Sequence, residues 1–233
     1  MKYYRRRRTI IGLLMLALMA TTLLIHPDNY QFAPKPTDEQ SKADPKSGPA
    51  VRVLNQLAVK GRASKTGYTR SQFGDGWEMI GSCDMRNIIL ARDMTDEVID
   101  LECKVLSGQL HDPYTDSIIN FKRGSATSAL VQIDHVVALS DAWQKGAQQI
   151  SPLMRRTLAN DPLNLLAVDG SQNQKKSGSD AASWLPPWKL FRCEYVSRQI
   201  AVKQRYHLWV TAAEKEAIAA VLENCPAQQL PKP

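Results

Sequence analysis

Only four cysteines occur in 233 residues, and no two of them form a Cys-x-x-Cys pair. A structural zinc site built on paired thiolates needs that spacing, so no structural zinc is expected. Ser140 lies in no nucleophile-elbow sequence, which argues against a serine hydrolase. No segment repeats, which excludes a solenoid or a propeller. A large charge excess in the body of the chain is missing too. The net charge is +7, but Lys2, Arg5, Arg6, Arg7 and Arg8 carry much of it, and the remaining basic residues nearly balance the 23 acidic ones. Bulk charge therefore says little about a polyanionic partner. A local surplus does exist: residues 139–205 hold ten Lys or Arg against five Asp or Glu.

What is present begins with an address. The basic cluster precedes Thr9–Ile25, a 17-residue run without charge. A basic flank followed by such a run is an export signal. It is also at the short edge of a membrane span, for which about 20 apolar residues are needed. Residues 1–25 are thus expected to be a signal peptide or a signal anchor, with the flank held in the cytoplasm and the rest outside. No clean small-x-small cleavage site stands out, so both alternatives stand, and an uncleaved segment would attach the chain to the membrane. No cysteine follows the run directly, which excludes a lipid-modified cysteine. Residues 26–50, rich in Pro, Lys, Asp and Ser, read as a disordered linker. The folded domain is expected over 51–228, secreted or membrane-anchored on the extracellular side.

Cys83, Cys103, Cys193 and Cys225 all fall in that domain. An even count in an exported chain suggests two disulfides, with three possible pairings. Helix phase selects one of them. Cys193 shares a stripe with Val196 and Ile200, and Cys225 shares one with Ile218, Val221 and Leu222, so two packed helices bring these cysteines together. Cys83–Cys103 then follows by elimination.

The patterning predicts a short helix over 51–59 and another short helical piece over 71–77. Asp84 is placed to cap a helix carrying Ile88, Ile89 and Leu90. Two strands, Cys103–Leu110 and Ser117–Phe121, flank the turn-forming run His111–Asp116. Ala129–Val137 is the next strand, followed by helical residues over 140–148. Ser151-Pro152 has the chemistry of a helix start. Leu163–Val168 is a short apolar strand, Asp169-Gly170 a turn, and a helix from Ser171 carries Asn173 and Lys176. Two longer helices follow at about 188–206 and 212–225, the second opened by a Thr211/Glu214 capping box.

The chemistry concentrates in Gln132-Ile-Asp-His-Val-Val-Ala-Leu139 and in Asn164-Leu-Leu-Ala-Val-Asp-Gly-Ser-Gln-Asn173-Gln-Lys-Lys176. A carboxylate beside a histidine, followed by two spaced asparagines, can assemble one metal ion and one general base. His135 titrates near neutrality and can take a proton from water. Asp134 offers a hard anionic oxygen and Asn173 a neutral one, a sparse set that suits Mg²⁺, with Mn²⁺ as a substitute. Lys176 can meet a phosphate as a point charge. Arg86 is a second phosphate candidate, with an ion pair to Asp93 or a neighbour as its alternative use.

The order of strand, loop, strand and helix around these residues resembles the ββα-metal core of HNH endonucleases, also called His-Me finger nucleases. The runs Cys83-Asp-Met-Arg-Asn87, Asp112-Pro-Tyr-Thr115, Gln132–Trp143 and Asn160-Asp-Pro-Leu-Asn-Leu-Leu-Ala-Val168 extend the likeness over about residues 60–225. They are similar to an exported bacterial HNH family related to the C-terminal domain of GmrSD-type restriction endonucleases. The resemblance implies an α+β domain, a ββα-metal core surrounded by helices. It implies a metal-dependent cut in DNA, with RNA as an alternative substrate, His135 and Asn164 as catalytic residues, and Asp134 and Asn173 on the metal. Asn164 is implied to orient the His135 ring. A different class remains beside it: a catalytically inactive, exported module that binds nucleic acid or a surface partner.

Overall fold

The computed structural model describes residues 48–125 and 127–231. The expected export segment and all but the last three residues of the expected linker lie outside the described residues. Helix α1 (Pro49–Gln56) starts two residues before the expected position. Pro suits the first helical position, and Gly48 lies hard against the C-terminal segment. A Cβ there would come within 2.5 Å of the Ala227 carbonyl carbon. Among the described residues no helix is long and apolar enough to cross a membrane.

After a 3-10 turn at Arg70–Phe73, strands β1 (Met79–Ile80) and β2 (Cys83–Asp84) form a small antiparallel pair. Asp84 then caps α2 (Met85–Asp93), its Oδ1 accepting the Asn87 N–H at 2.8 Å. Three strands follow where the patterning gives two: β3 (Met94–Ile99), β4 (Val105–His111) and β5 (Ile118–Lys122), antiparallel in that order. The first of them has no alternation to read, because only Met94 is buried and the other five residues face solvent.

Strand β6 (Val131–His135) pairs antiparallel with β7 (Leu165–Asp169), setting Asp134 opposite Leu166 and His135 opposite Leu165. Helices α3 (Leu139–Gln144) and α4 (Pro152–Asn160) fill the connection, and Ser151 caps the latter through Met154 N–H. Instead of ending in a turn, β7 runs straight into α5 (Gly170–Lys176), with Asp169 as the cap accepting from Gln172 N–H at 2.8 Å. Gly170 begins that helix against the approach to β6: a Cβ on it would lie 2.1 Å from the Ala129 carbonyl oxygen. Helices α6 (Arg192–Arg205) and α7 (Ala212–Leu222) close the chain. The expected capping box is half formed. Thr211 accepts from Glu214 N–H at 3.2 Å, but the Glu214 carboxylate turns inward to Lys145 and Lys203, at 2.7 and 3.0 Å.

The β6–β7 ribbon is covered on both faces. Leu165 and Ala167 pack with Ile89 and Leu90 of α2, while Leu166 and Val168 pack with Tyr195 and Ile200 of α6. This explains the unbroken apolar run in β7, since each large aliphatic side chain so buried contributes roughly 1.5–3 kcal/mol. Both expected cysteine pairs form: Cys193–Cys225, read from helix phase, ties α6 to the residues after α7, and Cys83–Cys103, left by elimination, ties β2 to the turn after β3. A second buried feature lies between α3, α6 and α7. Lys145, at zero exposure, sits 2.7–2.8 Å from the carboxylates of Asp141, Asp180 and Glu214, and Lys203 and Arg62 complete the network.

Candidate active site

The end of β6 and the helix α5 border a cleft of about 440 Å³. Asp134, His135, Asn173 and Arg86 all line it, and Arg70 and Trp77 join them. The strand pair positions the first two, and the Asp169 cap with its close-fitting Gly170 brings α5, and so Asn173, alongside.

Asp134 is almost fully buried. Its Oδ1 accepts from the Lys176 ammonium at 2.8 Å and its Oδ2 from the Tyr114 hydroxyl. Burial raises the Tyr114 phenol well above its ordinary range, and the Asp134 charge adds to this, so Tyr114 stays a donor. Lys176 departs from the expected phosphate contact. Its side chain has no exposure, and its ammonium is engaged by Asp134 and by the His135 carbonyl, each at 2.8 Å. It neutralises the carboxylate from behind and does not face the cleft.

His135 has one ring nitrogen held. Its Nε2 lies 2.9 Å from the Ala159 carbonyl, which can only accept, so Nε2 carries the proton and Nδ1 is left as the ring's acceptor. The Trp77 indole stacks on the imidazole at 5.7 Å between centroids and 6° between planes. Burial, followed by the nearby Arg70 charge, lowers the His135 pKa from 6.5 to about 4. The ring is therefore neutral, and able to accept a proton, throughout the physiological range.

Asn164 lies behind the cleft, fully buried. Its Oδ1 accepts from Val137 N–H at 2.8 Å, its amide donates to the Val137 and Leu158 carbonyls, and its own carbonyl accepts from Val136 N–H. It fixes the chain just beyond His135, while Ala159 holds the ring itself. Asn173 donates from Nδ2 to Gln132 Oε1 at 2.9 Å, which leaves its Oδ1 without a donor among the described residues. Arg86 is half-buried, with Nη2 at 3.1 Å from the Val131 carbonyl, and its other guanidinium nitrogens make no bond among the described residues. Its alternative partner, Asp93, is taken by Arg92 in a two-point pair.

Three side chains escaped the motif reading. Arg70 and Trp77 sit in a polar stretch with no periodicity. Tyr114 lies in the Asp112-Pro-Tyr-Thr115 run, where turn chemistry hides a clamp: Asp112 accepts from Asp169 N–H at 2.8 Å while Tyr114 holds Asp134. A large aromatic side chain within a turn sequence was the available signal. Among the described residues no three His, Cys, Asp or Glu side chains gather to hold a metal, so an ion in the cleft would rest on Asp134 and the neutral oxygen of Asn173. A second cleft, of about 470 Å³, includes Arg92 and Arg198. It offers less chemistry, since Arg92 is committed to Asp93 and to the carbonyls of Pro162 and Leu165.

Comparison with known proteins fits this geometry. The chain is 35% identical over 212 residues to an uncharacterized secreted protein of Arthroderma benhamiae, covering 89% of this chain and 96% of the relative. No solved structure matches. Residues 85–221, which carry β6, β7, α5 and every expected catalytic, metal-binding and phosphate-binding residue, match the model of the C-terminal domain of GmrSD restriction endonucleases. The protein belongs to that family.

Proposed function

We propose that this protein is an HNH-type endonuclease that hydrolyses phosphodiester bonds of DNA outside the cytoplasm, with residues 51–228 as its catalytic domain. The observation that carries the reading is the His135 ring: fixed by Ala159, neutral, and with Nδ1 free in the same cleft as Asp134, Asn173 and two arginines. His135 removes a proton from the attacking water at Nδ1. Arg86 and Arg70 draw the phosphate into the cleft and hold its charge. Trp77 and the Ala159 carbonyl keep the imidazole from turning, and Asn164 fixes the backbone that carries it.

The residues fit a divalent ion. Each carboxylate oxygen of Asp134 has two lone pairs, only one of which a protein donor takes, and Asn173 Oδ1 takes none. Asp134 and Asn173 would hold Mg²⁺ or Mn²⁺, which supplies charge neutralisation at the scissile phosphate when bound. Two disulfides and the secreted relative support action outside the cytoplasm.

One observation favours a second reading, a binding module without catalysis: both Asp134 oxygens already have protein donors. Supercoiled plasmid incubated with Mg²⁺ or Mn²⁺ separates the two. Nicking that stops in EDTA and in His135→Ala is the expected result. Tight DNA binding with no nicking under either metal would sink the enzyme reading. An RNA substrate run in parallel defines the sugar preference.

A further inference from the structure

A smaller cavity, of about 160 Å³, adjoins the cleft and shares Arg70, Trp77, His135 and Leu139 with it. An apolar space of roughly 150 Å³ holds one benzene-sized ring. Pockets for larger ligands begin at about 300 Å³. The cavity therefore has room for one ring and not for a nucleoside. Its remaining wall is apolar or bare: Phe73, Ala159, Gly74 and Gly76. Phe73 is anchored in the core at 1% exposure, so that wall is fixed. Gly76 keeps space open, since a Cβ added there would meet nothing within 4 Å. Beside Gly74 runs the exposed Arg156 side chain, its Cγ 3.5 Å and its Nε 3.8 Å from where a Cβ would be, which puts a second guanidinium at this edge of the cavity. A small cavity with Phe73 and Trp77 in its wall, the Arg70 guanidinium beside them and the general base on its border matches the parts of a nucleotide: base inside, phosphate outside.

We propose that this cavity is a nucleobase subsite, which takes the base of a nucleotide flanking the phosphate held in the cleft. The inference rests on the endonuclease reading and adds the class of substrate. A base stacked and paired within a duplex cannot enter a ring-sized slot unless it is turned out. The preferred substrate is therefore single-stranded or locally unpaired DNA.

The test uses the purified exported chain with an end-labelled oligonucleotide, presented as a single strand and as a duplex. An abasic spacer is then walked through the positions around the mapped cut. We expect kcat/KM to be about tenfold or more higher on the single strand. One neighbour of the cut bond should raise KM by about tenfold when abasic, with kcat unchanged. Gly76→Val, which narrows the open space at Gly76 at a backbone φ of +156° that disfavours a side chain, should lose about tenfold on the intact strand and nothing on the strand abasic at that neighbour, which serves as the control for backbone strain. Equal rates on single strand and duplex together with a flat abasic walk would overturn the subsite. Failure to cut any nucleic acid with any metal would count against the endonuclease reading instead. In that event 2-aminopurine at successive positions of the uncut strand still decides the subsite: a fluorescence change on binding that Gly76→Val abolishes supports it, and no change at any position overturns it.

Discussion

Two lysines with no solvent exposure, Lys176 and Lys145, each sit against buried carboxylates, yet they serve different regions of the molecule. Lys145 is enclosed by Asp141, Asp180 and Glu214, whose carboxylates also bind Arg62 and, from α6, Lys203, so the network pins α3, α6 and α7 together. Lys176 has a single carboxylate, Asp134, which also borders an open cleft beside a neutral histidine and an amide oxygen that takes no donor among the described residues. Buried charge alone therefore does not mark a functional site. What marks it is a charged group whose acceptor capacity is incompletely used at the edge of a space a substrate can enter.

The contrast can be tested from both sides, and the largest effect is expected in the cleft. His135→Ala should lower cleavage by about a thousandfold, roughly 4 kcal/mol of transition-state stabilisation, with a modest drop in Tm from the lost Ala159 hydrogen bond and Trp77 stack. Single-turnover assays on plasmid DNA, paired with thermal melts, measure both quantities. Lys145→Met should do the reverse. Removing one member of a buried ion network costs about 3–5 kcal/mol of stability, because the remaining carboxylates are left uncompensated. Urea denaturation reads that loss, and a melt unchanged by Lys145→Met would mean the network contributes nothing to stability.

pH separates the regions as well. His135 has its folded pKa lowered from 6.5 to about 4, so the unfolded chain takes up the proton first. Its contribution is complete above pH 6.5 and disappears as pH falls through about 4, a change of roughly 3 kcal/mol. Asp180 is lowered from 3.8 to about 2: burial pushes it up, but Lys145, Ser183 and Arg62 outweigh that. Its contribution is present above about pH 4 and is lost toward pH 2. Melts across pH 2–8 should show two windows of loss, and His135→Gln should flatten only the upper one. Cleavage should likewise keep its acid limb near pH 4 rather than 6.5. The smallest effect is expected from Tyr114→Phe, which removes one hydrogen bond to a carboxylate, worth about 1.5–3 kcal/mol. The expected outcome is a weaker Mn²⁺ dependence of cleavage and a modest drop in Tm. Unchanged metal titration would separate Tyr114 from the ion's position.

Much of the site could be read from local pattern. Asp134, His135 and Asn173 share one cleft because a strand ending and a helix beginning have characteristic sequences; Cys193–Cys225 followed from helix phase, and Cys83–Cys103 by elimination. The parts that could not be read depend on long-range approach. Nothing around Lys176 announces that its ammonium turns inward, because a lysine on a short helix reads the same whether it faces a phosphate or a buried carboxylate. The partner that holds His135 is a main-chain carbonyl, which has no residue type to recognise. Arg70 and Trp77 reach the cleft from more than fifty residues upstream through a stretch with no periodicity, and β3 hid because its face is wet.

Gly170 shows what such closeness means for variation. A single added carbon at that position would overlap the Ala129 carbonyl at 2.1 Å. Relief requires α5 to back away from the β6 approach and to take Asn173 with it. In a saturation library selected on cleavage, position 170 should be close to monomorphic, with even alanine depleted, while its exposed neighbour Ser171 drifts freely. The strand-to-helix junction is thus a point of low mutational tolerance in a region that carries no chemistry of its own.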